Sequence, residues 1–95
     1  MEYLVDFITT IPDDALPPEI EQRLAGETTR VAELAAQGHA LRVWRPLPED
    51  GRRRAIGLYR AATEEELGAI LDSLPLRPWM KTSVTALGKH PNDPA

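Results

Sequence analysis

Ninety-five residues with a formal charge of −4, 42% hydrophobic and 27% charged, fit one folded domain rather than a disordered chain. The negative balance excludes nucleic acid as the main partner, because neutralising phosphates takes a basic surface. The lack of cysteine excludes disulfide and thiolate chemistry and inclines the expected compartment to the cytoplasm, and no run approaches the ~18 apolar residues of a membrane span.

The opening "MEYLVDFITT" carries an acid where a secretory leader would be basic, and it alternates. Tyr3, Val5, Phe7 and Ile11 share one face and Glu2, Leu4, Asp6, Ile8 and Thr10 the other, which predicts a strand over 2–11 covered on both sides. "PDDALPP" is rich in turn residues, and its last prolines suit the first turn of a helix. That helix is expected from Pro18 to Gln37, with Gly38 as its stop. A second strand follows over 39–46, with Leu41, Val43 and Arg45 on one face and Arg42 and Trp44 on the other. Asp50-Gly51 marks a turn, and "GRRRA" at 51–55 reads first as a solvated loop rather than a binding patch. Residues 55–61 form a third strand in which Gly57 leaves room for a close neighbour or a ligand. Thr63 and Glu66 match a capping box ahead of Leu67, Ile70, Leu71 and Leu74, and Pro75 ends that second helix. A fourth strand is expected over 79–87.

The order β-α-β-β-α-β predicts an α+β, ferredoxin-like domain over residues 1–88, with a four-stranded antiparallel sheet and both helices on one face. Residues 89–95 form a polar, proline-rich tail. Every strand carries apolar residues on both faces while two helices cover only one. A homo-oligomer is therefore expected, with a second subunit on the open face.

One position breaks the pattern of the first helix. Ile20, Leu24, Val31, Leu34 and Ala35 lie on a common stripe, and where another apolar residue is due the chain has Glu27. Two readings stand side by side. Glu27 pairs with Arg23 or Arg30 on an exposed helix face. Alternatively it points into the space between helix and sheet, where desolvation lifts its pKa and fits it to take and return a proton. The two histidines, His39 and His90, lie far apart, and nothing has metal-ligand spacing.

"GETTRVAELAAQGHALRVWR", "SLPLRPWM" and "KHPNDP" together resemble the muconolactone Δ-isomerase family over nearly the whole chain. The resemblance implies a dimeric α+β barrel whose dimers build larger rings, up to a decamer. It also implies a cofactor-free proton shift within a small unsaturated lactone bearing a carboxylate, of the type that turns muconolactone into 3-oxoadipate enol-lactone in aromatic catabolism. The family's proton-carrying glutamate corresponds to Glu27. On the third strand the family's tyrosine and asparagine give way here to Arg53 and Ala55, and the preceding loop is longer.

A shift of this kind also needs a clamp for the substrate carboxylate and stabilisation of an enolate, which the planar fork of arginine suits. Arg42, Arg45, Arg53 and Arg77 are candidates, with Trp44 and Tyr59 as further substrate contacts. Some have a structural alternative: an ion pair for Arg45, an interface cap for Arg42, and packing for Trp44 and Trp79. Asp6, in the middle of the first strand, is a second candidate buried acid, with a cross-strand arginine pair as its alternative. A non-catalytic, ligand-binding barrel or a related cyclase or lyase is the competing function, because fold alone does not fix activity.

Overall fold

The alternation and periodicity of the chain resolve into six regular elements in a computed structural model, which describes all 95 residues. They are β1 (Glu2–Thr9), α1 (Pro17–Ala36), β2 (Ala40–Trp44), β3 (Arg53–Arg60), α2 (Glu64–Asp72) and β4 (Met80–Leu87), with a 3-10 turn at Arg77–Trp79. The sheet is antiparallel with strand order β2-β3-β1-β4, the expected ferredoxin-like arrangement.

Register follows from the pleat. Tyr3, Val5 and Phe7 of β1 stand opposite Tyr59, Gly57 and Ala55 of β3 and opposite Ala86, Val84 and Thr82 of β4. This face receives the helices. Tyr3, Val5, Phe7 and Tyr59 join Leu34 of α1 and Leu67, Ile70 and Leu71 of α2 in the buried core. A two-residue period sends Leu4, Asp6 and Ile8 to the opposite face, together with Ile56 and Leu58. No element of the chain covers that face, so its residues are only half-buried and β1 is not covered on both sides within one subunit.

The helix ends obey local chemistry. Pro17 opens α1, because a proline at N1 removes only an amide that has no helical partner. Gly38 adopts φ +82°, the left-handed conformation that suits glycine after a helix end. At α2 the Thr63 hydroxyl accepts from the Glu66 amide at 3.1 Å. The Glu66 carboxylate reaches back to Ala62 N–H at 3.1 Å, one residue beyond the usual capping-box partner.

Several boundaries differ from expectation for identifiable reasons. Strand β2 is shorter, ending where its pairing with β3 ends at Trp44, and it carries a register shift between Ala40 and Arg42. Strand β3 starts two residues early, so Arg53 and Arg54 belong to the ladder, opposite Thr9 and Ile8, and not to a solvated loop. Helix α2 ends at Asp72, and Leu74 packs into the core from the turn beyond it. Ala35, counted on the buried stripe of α1, is exposed. The neighbour of Gly57 is Tyr59. A Cβ at position 57 would lie 2.5 Å from the Tyr59 ring, so the missing side chain is what lets that ring lie flat along its own strand.

Candidate functional site

Three residues of α1 hold the turn that follows α2. Arg23, Glu27 and Arg30 are spaced four and three apart, so they share a helix face. Arg23 Nη1 donates to the Pro75 carbonyl at 2.6 Å, and Arg30 Nε donates to Ser73 Oγ at 2.9 Å. Glu27 Oε1 accepts from the Leu76 amide at 3.0 Å. The ion-pair reading of Glu27 is replaced by this arrangement. Arg23 instead approaches Glu19 at 3.8 Å and Arg30 approaches Glu33 at 3.4 Å. Arg23 also lies 4.9 Å from the centre of the Trp79 ring, a cation–π contact that partly offsets its buried, unpartnered Nε.

The close approach depends on a glycine. A Cβ on Gly26 would stand 3.2 Å from Pro75 Cγ, so a bare Cα beside Glu27 is what admits the turn. Glycine in a helix interior costs about 1 kcal/mol against alanine. Its presence in "LAGETT" was a legible signal of close packing, but the partners Pro75 and Leu76, about fifty positions away, were not.

Glu27 borders a cavity of about 390 Å³ between α1 and the sheet. Phe7, Val31, Val43, Ala55 and Met80 give it apolar walls, and Thr9 and Tyr59 add hydroxyls. Arg45, Glu49, Arg52 and Arg53 stand at its loop side, where two arginines have local partners: Arg45 pairs with Glu49 at 3.0 Å and Arg52 with Asp50 at 3.1 Å. Arg53, exposed, and Arg54, half-buried, also border the cavity, and neither forms an ion pair or side-chain hydrogen bond within the chain. The cavity therefore presents a half-buried carboxylate beside apolar walls, with two unengaged guanidiniums, those of Arg53 and Arg54, at its edge.

Burial pushes the Glu27 carboxyl above its ordinary value of 4.5, and the Leu76 N–H, which favours the anion, opposes that rise in part. Only Oε1 is engaged. Oε2 has no partner within the chain and is available to a guest. The Tyr59 hydroxyl is pushed up to about 12, first by burial and then by the charge of Glu27, so it stays protonated near neutral pH.

Of the candidates from the sequence, the structure brings together Glu27, Arg45, Arg53 and Tyr59 around this cavity. Arg42 and Trp44 are not among them. They pair with Leu58 and Ile56 on the open sheet face, where the Arg42 guanidinium lies 5.3 Å from the centre of the Trp44 ring. The reason is the pleat itself, since residues 42 and 44 point away from the face that carries Val43. Arg77 is bound to Asp72 at 3.0 Å and to Thr82 at 3.3 Å, and it does not line the cavity. Asp6 sits on the open face with no ion pair, and His90 Nδ1 accepts from the Asn92 amide at 3.0 Å within the tail. Thr9, Glu49, Arg52 and Arg54 were missed: Thr9 lay in the first alternating run with no chemical signal of its own, and Glu49, Arg52 and Arg54 lay in a stretch read as a loop, whose path only the fold determines.

Comparison with known proteins shows the family and agrees with this fold. Residues 1–93 match the sequence profile of the family described as Muconolactone delta-isomerase. A muconolactone Delta-isomerase of Cupriavidus pinatubonensis is 29% identical over 92 residues, covering 97% of each chain. One from Rhodococcus opacus is 31% identical over 83 residues, covering 87% of this chain and 86% of that one. The enzyme of Acinetobacter baylyi is 40% identical over 60 residues, a stretch that spans 63% of this chain and 59% of that relative. Among solved structures, a crystal structure of muconolactone isomerase superposes with a TM-score of 0.88 at 26% identity, covering 100% of this chain and 96% of that one.

Proposed function

This chain belongs to the muconolactone delta-isomerase family, and from that premise we propose that it shifts a proton within a small unsaturated lactone bearing a carboxylate, muconolactone being the type substrate. In this reading Glu27 is the proton carrier and works without a cofactor. Its carboxylate takes a proton from a carbon beside the lactone carbonyl or its vinylogous extension, and it returns the proton at another carbon of the same conjugated unit. The observation that carries the reading is a half-buried carboxylate with one oxygen latched to Leu76 N–H and the other unpartnered beside the cavity.

The latch fixes the carboxylate in position, and the apolar walls keep its basicity above that of a hydrated carboxylate, which suits a group that must both accept and release a proton near neutral pH. Arg53, unpaired at the cavity edge, is assigned to the substrate carboxylate. Arg45 would assist once released from Glu49.

The same reading includes a homo-oligomer working in the cytoplasm, with the open sheet face against a second copy and the dimers built into larger rings. The exposed surface supports association. A compact monomer of this mass exposes about 5,500 Å², whereas this chain exposes 6608 Å², with Trp44 41% accessible on that face.

The test is direct. Purified protein converts muconolactone in a proton-exchange or absorbance assay, and Glu27→Gln, which keeps an oxygen for Leu76 N–H, loses at least about 100-fold in turnover. Full turnover by that variant would overthrow the role of Glu27. Failure of the unaltered protein on muconolactone and its chloro- and methyl-substituted forms would shift the assignment to a ligand-binding barrel or a cyclase.

A further inference from the structure

The mechanism above leaves the Tyr59 side chain without a task. Tyr59 is 1% exposed and lines the chamber. Its hydroxyl has no hydrogen-bond partner within the chain. It is not sealed either, because Arg23 Nε is the one side-chain polar atom that is fully buried and unpartnered. A buried hydroxyl normally finds a partner, since an unmet one costs about 1–3 kcal/mol. Tyr59 therefore brings to the wall of the cavity a hydroxyl that no group of the chain satisfies.

The ring is also held in place. It occupies the space left by the absent side chain of Gly57 and meets the Phe7 ring at 6.1 Å between centres with an interplanar angle of 59°. Two χ angles fixed by such packing aim the hydroxyl with little entropy left to lose. Glu27 and Tyr59 both line this one chamber.

We infer that the Tyr59 hydroxyl is a catalytic hydrogen-bond donor to the substrate carbonyl oxygen, the atom that becomes an enolate while Glu27 holds the migrating proton. The inference rests on the isomerase reading given above. In the first half-step a C–H bond breaks toward the Glu27 carboxylate, and its electron pair moves through the conjugated unit to the carbonyl oxygen. Tyr59 keeps its own proton and donates a hydrogen bond to that oxygen. In the second half-step the carbonyl reforms as the electron pair takes the proton back from Glu27 at the other carbon. Proton count and electron count are unchanged over the cycle. The high pKa of Tyr59 matches this task, because a phenol that does not ionise remains a donor throughout the working pH range.

Tyr59→Phe removes one oxygen and preserves the ring that packs against Phe7. With muconolactone as probe, kcat is expected to fall about 100-fold while KM changes less than about threefold and the urea midpoint stays put. Wild-type kcat in this variant, alongside an inactive Glu27→Gln, overturns the inference and leaves the isomerase reading standing. Unaltered protein that fails on muconolactone overturns both. If Tyr59→Phe loosens the fold, 3,5-difluorotyrosine at position 59 retains the shape and lowers the phenol's pKa. Its rate must then decline with rising pH as the donor ionises, and a pH profile identical to that of the unaltered protein refutes the assignment.

Discussion

Gly26→Ala and Gly68→Ala form a matched pair that isolates what the glycine beside Glu27 does. Both glycines lie inside helices, so alanine should favour each helix by about 0.5–1 kcal/mol through reduced backbone freedom. A Cβ at Gly68 meets nothing within 4 Å, and that variant should realise the whole gain. For a domain of this size, such a gain raises Tm by roughly 2–8 °C. At Gly26 the added methyl stands 3.2 Å from Pro75 Cγ, a few tenths of an ångström inside ordinary contact. Pro75 must retreat, and the adjoining Leu76 amide retreats with it from its 3.0 Å bond to Glu27. Helix gain and crowding then nearly cancel, leaving a change of stability within about 0.5 kcal/mol. Because the Leu76 N–H stabilises the anion, weakening it raises the Glu27 pKa further. Carboxyl-carbon NMR titration of the two variants, paired with thermal unfolding, reads both effects. Equal stabilisation by the two alanines, with an unmoved Glu27 titration in each, would refute the claim that Gly26 is what admits the latch.

The remaining expectations concern charge and surface. Glu27 has a folded pKa raised above its unfolded value, so the stability it contributes is complete below the unfolded pKa and lost as pH rises through the folded one. Glu27→Gln should therefore be more stable than the unaltered protein near neutral pH, with the advantage shrinking in thermal scans taken below the ordinary value of 4.5; an advantage that grows on acidification would contradict the sign. The rate of the unaltered enzyme should fall on acidification with a midpoint above that same value, read from kcat/KM against pH. Arg53→Ala should raise KM about tenfold with little effect on kcat, as expected for loss of one charge-assisted contact at an exposed edge; an unchanged KM would remove Arg53 from the site. Ile56→Asp, on the open sheet face, should lower the mass in sedimentation while leaving the circular dichroism of the subunit intact, and an unchanged mass would refute the proposed association through this face.

How much was legible in the sequence can be judged residue by residue. The alternation of Tyr3, Val5 and Phe7, the stripe through Leu24, Val31 and Leu34, and the Thr63–Glu66 cap each lie within a few positions of one another. They encode strands, helices and their starts through periods of 2 and 3.6, which are properties of the local backbone. The same arithmetic set Arg42 and Trp44 on the face opposite Val43, so the sequence held their separation from Arg45 even where both were candidates for one site. The oddity of Glu27 on its stripe was equally visible, and so was the unusual glycine beside it.

What the sequence left undetermined were distances between residues far apart in the chain. Whether Glu27 pairs with Arg23 or turns to a backbone amide depends on where Leu76 arrives, and that depends on α2 docking and on the space at Gly26. Arg53 became a cavity residue because β3 extends to meet Thr9 of β1, a register that cross-strand hydrogen bonds select and no local pattern of arginines specifies. Periodicity determined which face each side chain takes. Tertiary packing decided which faces meet, and only that meeting takes Glu27 partly out of water and brings Tyr59 to the same chamber.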